Sequence, residues 1–172
     1  MNTTTDSIHA ACTAQTTIAT PLGKVLLART AKGLAGVWFE RQKHHPEPLT
    51  AMRRPDDELL RRAADQLHAY FAGEHDRFDL PLDLHGTSFQ RAVWQALLAI
   101  PTGHTTSYGA LAAGLGAASA VRAVGGAVGR NPVSVIVPCH RVVGSDGSLT
   151  GYAGGVDRKR RLLVLEQALV SA

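Results

Sequence analysis

Hydrophobic and polar positions follow two different rhythms along this chain. Through residue 40 the apolar residues come in short β-branched or aromatic runs cut by turn residues. Residues 16–20 lead into Pro21-Leu22-Gly23, residues 24–29 run into a turn ending at Gly33, and residues 34–40 carry Val37, Trp38 and Phe39. Runs of this kind between Gly and Pro signals predict strands, and their short connections predict an antiparallel meander. Residues 41–55 are polar and Pro-rich and read as a loop, in which His44-His45 forms a solvated pair rather than a metal site. From Asp56 the period becomes helical. Leu59, Leu60, Ala63, Ala64, Leu67, Tyr70 and Phe71 share a stripe, Asp57 and Glu58 sit in the dipole-favoured first turn, and Gly73 offers a C-cap. Phe78, Leu80, Leu82 and Leu84 then alternate with polar residues, and Pro81 makes that run an edge strand.

A boundary at His85-Gly86 divides the chain into residues 1–85 and 86–172. Thr87 and Gln90 have the spacing of a capping box. Phe89, Ala92, Val93, Ala96, Leu97 and Ile100 then recur at helical intervals until Pro101. A short helix from about Ser107 points Tyr108, Leu111, Ala112 and Leu115 inward. After Gly114 and Gly116 a second helix starts near Ser119, with Val121, Val124 and Val128 on its core stripe. Two short helices across a glycine turn make a helix-turn-helix pattern. The second helix is a poor reader of base edges. Ala120, Ala123, Gly125, Gly126 and Ala127 are small, and Arg122 is its one long side chain. An Ala/Gly face suits close docking on a minor groove, with a lone cation entering the base stack. It suits a plain helix-packing face equally well.

The chemistry concentrates further on. Val135-Ile136-Val137 reads as a buried strand that Pro138 terminates, which leaves Cys139 at a strand end beside His140. A lone cysteine is most often a small buried hydrophobe. Strand neighbours also face opposite ways, so Cys139 and His140 cooperate only if the chain turns or water bridges them. Ser145-Asp146-Gly147-Ser148 is a hairpin turn signal, and residues 151–155 form a Gly-rich loop able to approach a ligand. The last helix is expected from Val156 or Asp157 to Val170. Glu166 falls on its apolar stripe with Leu162, Leu163, Leu169 and Val170. A carboxylate there needs a donor. His140 is one; exposure at the stripe's edge or pairing with an arginine is the alternative. Arg158-Lys159-Arg160-Arg161 reads as a solvated basic face, with phosphate contact the rarer use.

Composition narrows the options. The 172 residues are 45% hydrophobic and 19% charged, which is globular rather than disordered. A net charge of +4 permits an anionic partner such as nucleic acid without requiring one. The cysteines are two, Cys12 and Cys139, and no Cys/His set has zinc spacing, so neither a disulfide framework nor a metal is expected. Cys12 lies in a polar, Thr-rich N-terminal segment that reads as mobile. No signal peptide or membrane span is legible, which predicts a cytoplasmic protein. A cysteine hydrolase using Cys139, His140 and Glu166, and a helix-turn-helix regulator with a structural cysteine, both fit these features.

Arg130-Asn131-Pro132, then Val137-Pro138-Cys139-His140-Arg141-Val142, then Gly151-Tyr152 and Gly154-Gly155 together resemble the O6-alkylguanine-DNA alkyltransferases, also called methylated-DNA–protein-cysteine methyltransferases. The resemblance spans about Gly86 to Glu166, with a looser match before it. It implies an α/β N-terminal domain, a ribonuclease-H-like antiparallel sheet plus helix. It implies a mostly α C-terminal domain with a winged-helix-like helix-turn-helix. It further implies irreversible, one-turnover transfer of an alkyl group from guanine O6, and also thymine O4, in duplex DNA to Cys139 after base flipping. No cofactor is implied, and the protein is expected as a monomer, with cooperative assembly on DNA an open question. By position, His140 (through a water) and Glu166 resemble the relay that makes a thiolate, and Tyr108 the donor to the leaving base. Arg122 resembles the finger that fills the stack, with Ala120, Ala123 and Gly125 on the DNA face. Asn131 resembles the hinge asparagine. Val142, Tyr152, Ala153 and Gly154 resemble the walls of the guanine pocket. Some members carry serine at the position of Ala153, so here the backbone must serve the O6 atom.

Overall fold

The computed structural model describes residues 3–74 and 76–170. The chain forms two compact units. The first comprises residues up to Gly86 together with Pro132–Ser134, and the second comprises Thr87–Asn131 and the chain from Val135 onwards.

In the first unit, α1 (Thr3–Ala11) precedes β1 (Cys12–Thr20), β2 (Gly23–Thr30), β3 (Leu34–Phe39), β4 (Met52–Arg53) and α2 (Glu58–Phe71). The sheet order is β3-β2-β1-β4. The first three strands form the expected antiparallel meander. β4, a pair of residues within the segment read as loop, adds in parallel to β1 through Ala14 and Gln15. Gln15 anchors it, donating from Nε2 to the Leu49 and Ala51 carbonyls. β3 is buried at every position, as a strand covered on both faces must be. α2 begins two residues later than expected because the Asp57 carboxylate caps the Leu60 amide and so stands outside the helix. Leu59, Leu60, Ala63, Leu67 and Tyr70 form its buried stripe, each fully buried leucine contributing about 1.5–3 kcal/mol.

Two expectations change here. The segment around Cys12 is ordered: Cys12 opens β1 and packs with Ile8 of α1, Ala28, Ala35, Trp38 and Leu49. The alternating run at 78–84 is extended but forms no ladder, touching β3 through one bridge from Leu82 to Leu34. Pro81 explains this, since it has no amide to give and only its carbonyl is used, by the Leu34 amide.

In the second unit, α3 (Ser88–Leu97) starts at the Thr87–Gln90 capping box. β5 (Thr106–Ser107) leads into α4 (Tyr108–Gly114), capped by the Ser107 hydroxyl. A 3-10 turn at Ala118–Ala120 then precedes α5 (Val121–Gly129). α4 and α5 are the helix-turn-helix. Val124, Ala127 and Val128 bury α5, and the Trp94 indole N–H donates to the Ala127 carbonyl at 2.8 Å, fixing α5 to α3. β6 (Val142–Val143) pairs in parallel with β5. α6 (Val156–Leu165) closes the unit. It ends well before Val170: Glu166 is its C-cap, and Gln167 has a φ of 62°, which the helix cannot continue through. Among the described residues no helix is long and apolar enough to cross a membrane.

Candidate active site

Every residue from 131 to 143 is buried. The reading of this apolar run as a core segment was right in burial and wrong in conformation. Residues 135–137 form no strand. Val135 has a φ of 71°, a left-handed conformation that costs a β-branched residue about 1–3 kcal/mol and turns the chain. Pro138, at φ −84° and ψ 63°, sits in an inverse γ-turn closed by the Cys139 amide on the Val137 carbonyl at 2.8 Å. Cys139–Arg141 follows as a single 3-10 turn. The turn lets the consecutive His140 and Arg141 side chains join one buried cluster, which a strand would have splayed apart.

Glu166 supplies the centre of the cluster from the end of α6. Its Oε2 accepts from His140 at 2.8 Å and from the Arg141 Nη2 at 3.0 Å, while its Oε1 accepts from the Arg141 Nε at 2.8 Å. Both carboxylate oxygens are filled with donors, so the group is held ionised. Of the alternatives left open for Glu166, the histidine and the arginine partners both occur. Arg141 also donates to the Ile100 carbonyl and the Thr102 hydroxyl, which locks the guanidinium in place. Because a carboxylate only accepts, the His140 proton on this side must sit on Nε2. That leaves Nδ1 as the lone-pair nitrogen, and Nδ1 is buried with no hydrogen-bond partner. Burial pulls the titration of His140 below its ordinary range, against the opposing pull of Glu166. The ring is therefore a neutral imidazole with one vacant basic nitrogen.

Cys139 is 4% exposed, and burial pushes its thiol up to about 11. A hydrogen bond from the Asn131 side chain and the positive charge of Lys159 oppose that shift. At rest the sulfur is thus a thiol, and it needs a base when it reacts. Asn131 is itself buried and donates from Nδ2 to the Val137 carbonyl at 2.7 Å, bracing the γ-turn. Tyr108, at the start of α4, donates its hydroxyl to the Thr150 carbonyl at 3.1 Å. Burial, and then the neighbouring Cys139, keep that phenol protonated.

Two residues of this cluster escaped the sequence reading. Arg141 had only its place in a motif to recommend it. Lys159 belongs to a run of four cations that read as a solvated face, yet it is 1% exposed. Its ammonium donates to the carbonyls of Val142 at 2.5 Å, Thr150 at 3.1 Å and Gly151 at 3.2 Å. Only its position on the same helix face as Leu162 and Leu163, three and four residues on, could have marked it as inward.

The remaining candidates differ in exposure. Val142 and Gly154 are buried, and Tyr152 and Ala153 are half-buried on the loop before α6. Arg122 and Ala123 are exposed on α5, Ala120 and Gly125 half-buried, and Arg122 has no hydrogen bond or ion pair among the described residues. The α5 glycines do not serve packing within the chain: a Cβ at Gly126 or Gly129 would meet nothing, and one at Gly125 would make ordinary contact with Tyr108. No group of three or more metal-ligating side chains occurs among the described residues.

Known proteins share this architecture. The family description "6-O-methylguanine DNA methyltransferase, ribonuclease-like domain" matches residues 14–84, and "6-O-methylguanine DNA methyltransferase, DNA binding domain" matches residues 88–168. The methylated-DNA–protein-cysteine methyltransferase of Mycobacterium tuberculosis is 50% identical over 156 residues, 91% of this chain and 93% of that protein. That of Methanosarcina barkeri is 48% identical over 150 residues, 87% of this chain and 94% of its own. A crystal structure of Mycobacterium tuberculosis OGT in complex with DNA superposes with a TM-score of 0.83 at 48% identity, covering 90% of this chain and 93% of that one.

Proposed function

The chain belongs to the methylated-DNA–protein-cysteine methyltransferase family, and from that premise we propose that it repairs duplex DNA by moving an alkyl group from guanine O6 to Cys139. The activity is direct reversal of alkylation damage and the partner is DNA. We assign residues 1–85 to a supporting domain and residues 86–172 to DNA binding and chemistry, acting as a monomer in the cytoplasm.

The small, exposed face of α5 around Ala120, Ala123 and Gly125 docks on the minor groove, and Arg122 fills the gap left by an everted base. Extruding a base costs about a few kcal/mol, and least for one already poorly paired, so damage is selected without sequence reading. The loop of Tyr152, Ala153 and Gly154 closes over the guanine, with Val142 beside its edge. With alanine at position 153 the loop has no hydroxyl for O6, and main-chain amides carry that contact.

The Cys139 proton passes through a water to the vacant Nδ1 of His140, and the Glu166 carboxylate stabilises the imidazolium that results. Asn131 donates to the new thiolate. Sulfur attacks the alkyl carbon in line, the S–C bond forms as the C–O6 bond breaks, and the electron pair leaves on the base. Tyr108 lends its proton to that leaving guanine and regains one afterwards. The sum is alkylguanine plus thiol giving guanine plus thioether. Nothing in the site can hydrolyse a thioether, so each molecule acts once. Thymine O4 presents the same alkyl–oxygen bond and is taken by the same route.

The observation that carries this reading is the buried His140–Glu166 pair with its unpartnered Nδ1, on the residue that follows Cys139 in the chain. The test is to mix the protein with a duplex containing O6-methylguanine and weigh the Cys139 peptide. A stable, stoichiometric methyl gain supports the reading. Repeated turnover, or an unmodified peptide, overturns it.

A further inference from the structure

We propose that Lys159 is a positioning residue for the transfer step: its ammonium clamps the loop at Thr150 and Gly151 to the end of β6 and supplies the positive charge beside which Cys139 becomes a thiolate. The inference rests on the alkyl-transfer reading above and adds a residue to it.

Three observations carry it. The first is stoichiometric. A lysine has three donors only when protonated, and Lys159 makes three hydrogen bonds, to Val142, Thr150 and Gly151. The second is topological. Its acceptors come from two segments, β6 directly after the Cys139–Arg141 turn and the loop before α6, so one side chain ties both borders of the site together. The Thr150 carbonyl also accepts the Tyr108 hydroxyl, so the clamp sets the position of the proton donor as well. The third is electrostatic. The Lys159 charge favours ionised Cys139, and the two influence each other's titration. The charge lies 5.8 Å from the centre of the Tyr108 ring.

Burial brings the ammonium down to about 8, so it is charged at neutral pH and loses its proton just above. The titratable groups facing it are Cys139 and His140 on the 3-10 turn and Tyr108 on α4, with Glu166 beyond His140. Cys139 and Tyr108 both titrate well above 8, and His140 below, so a limb near 8 belongs to Lys159. Lys159 keeps its proton throughout the transfer; it is neither the base nor the acid.

The test is the single-turnover rate of methyl transfer from an O6-methylguanine duplex, followed from pH 6 to 10. For the wild type the rate is expected to fall about tenfold per pH unit above a midpoint near 8, while DNA binding and circular dichroism stay constant. Lys159→Met is expected to lose about a hundredfold at pH 7 and to show no limb near 8. Its Cys139 should also react more slowly with iodoacetamide, which needs no loop. Lys159→Arg, still charged at pH 10, should recover part of the rate without the limb. A wild-type rate that stays level through pH 9 overturns the proposal even if Lys159→Met fails to fold. So does a folded Lys159→Met with the wild-type rate. If the wild type itself takes no methyl group, the function is wrong, and not merely the role of Lys159.

Discussion

Each unit of this protein holds a buried cysteine and a histidine–carboxylate pair, and the proposed chemistry uses one set alone. In the first unit they are Cys12 and His85–Asp83, with 2.9 Å between Nε2 and the carboxylate. In the second they are Cys139 and His140–Glu166, at 2.8 Å. Burial raises both thiols to about 11. The surroundings separate them. Cys12 has apolar neighbours and the negative Asp83, which pushes it the same way burial does. Cys139 has a donor and a cation pulling against burial. The free nitrogen differs too: His85 Nδ1 is taken by the Ser7 hydroxyl at 3.0 Å, whereas His140 Nδ1 is vacant. Residue types do not make a site. The direction in which the neighbours move a charge, and the one valence left open, do.

The hardest test of this contrast is to remove each sulfur in turn. Cys139→Ala is expected to abolish methyl uptake from an O6-methylguanine duplex, and Cys12→Ala to leave the rate within about twofold. Cys12→Ala should cost only about 1 kcal/mol of stability, read from chemical unfolding, because a small group leaves a packed cluster. Uptake of methyl on Cys12 in the absence of Cys139 would erase the distinction.

The next largest effect should come from Glu166→Gln. The amide cannot balance Arg141, and it no longer fixes the His140 tautomer, so Nδ1 is not reliably the base. A loss of about 10²–10³ in transfer rate is expected from the general-base contribution. Stability should fall by about 3 kcal/mol, since one partner of a buried ion pair is gone. The two readouts are separable by measuring transfer below the melting transition. An unchanged rate there would show that Cys139 loses its proton by another path.

Asn131→Ala follows, at about 10- to 100-fold in rate. One charge-assisted hydrogen bond to the thiolate is worth about 1.5–3 kcal/mol. The same side chain braces Val137, so the melting temperature should drop as well. A drop in stability with full activity would confine Asn131 to a structural role.

How legible all this was in the chain depended on range. α2 and α3 declared themselves through local signals: a helical stripe with an acid at its start, and the Thr87–Gln90 box. The anomaly of an acid on an apolar stripe was enough to ask for a donor to Glu166, with His140 and an arginine both open, and both occur. What failed was whatever depends on distant backbone. Val135-Ile136-Val137 has strand composition, and nothing in it announces a left-handed Val135; burial selects β-branched residues whether the segment is a strand or a buried turn. Lys159 is hidden in Arg158-Lys159-Arg160-Arg161 because its three acceptors lie between 8 and 17 residues away. A cationic run looks solvated until the carbonyls that satisfy it are in place.

The smallest effect expected is in the first unit, where the histidine–carboxylate pair is structural. Burial alone would raise Asp83, but hydrogen bonds from Thr30 and His85, and the charges of His85 and Lys32, outweigh it and hold the carboxyl below its usual value. A carboxylate lowered in the folded state adds stability above its unfolded value near 4. That contribution disappears as the pH falls through the folded value. Asp83→Asn should therefore lower stability at pH 7 by about 1 kcal/mol or less, since the pair is partly solvated, and by nothing at pH 2. The two unfolding curves should converge on acidification. Methyl transfer at pH 7 should stay within about twofold of wild type. A loss comparable to that of Glu166→Gln would mean that the two pairs are energetically alike, and that the vacancy on His140 is not what sets the reactive unit apart.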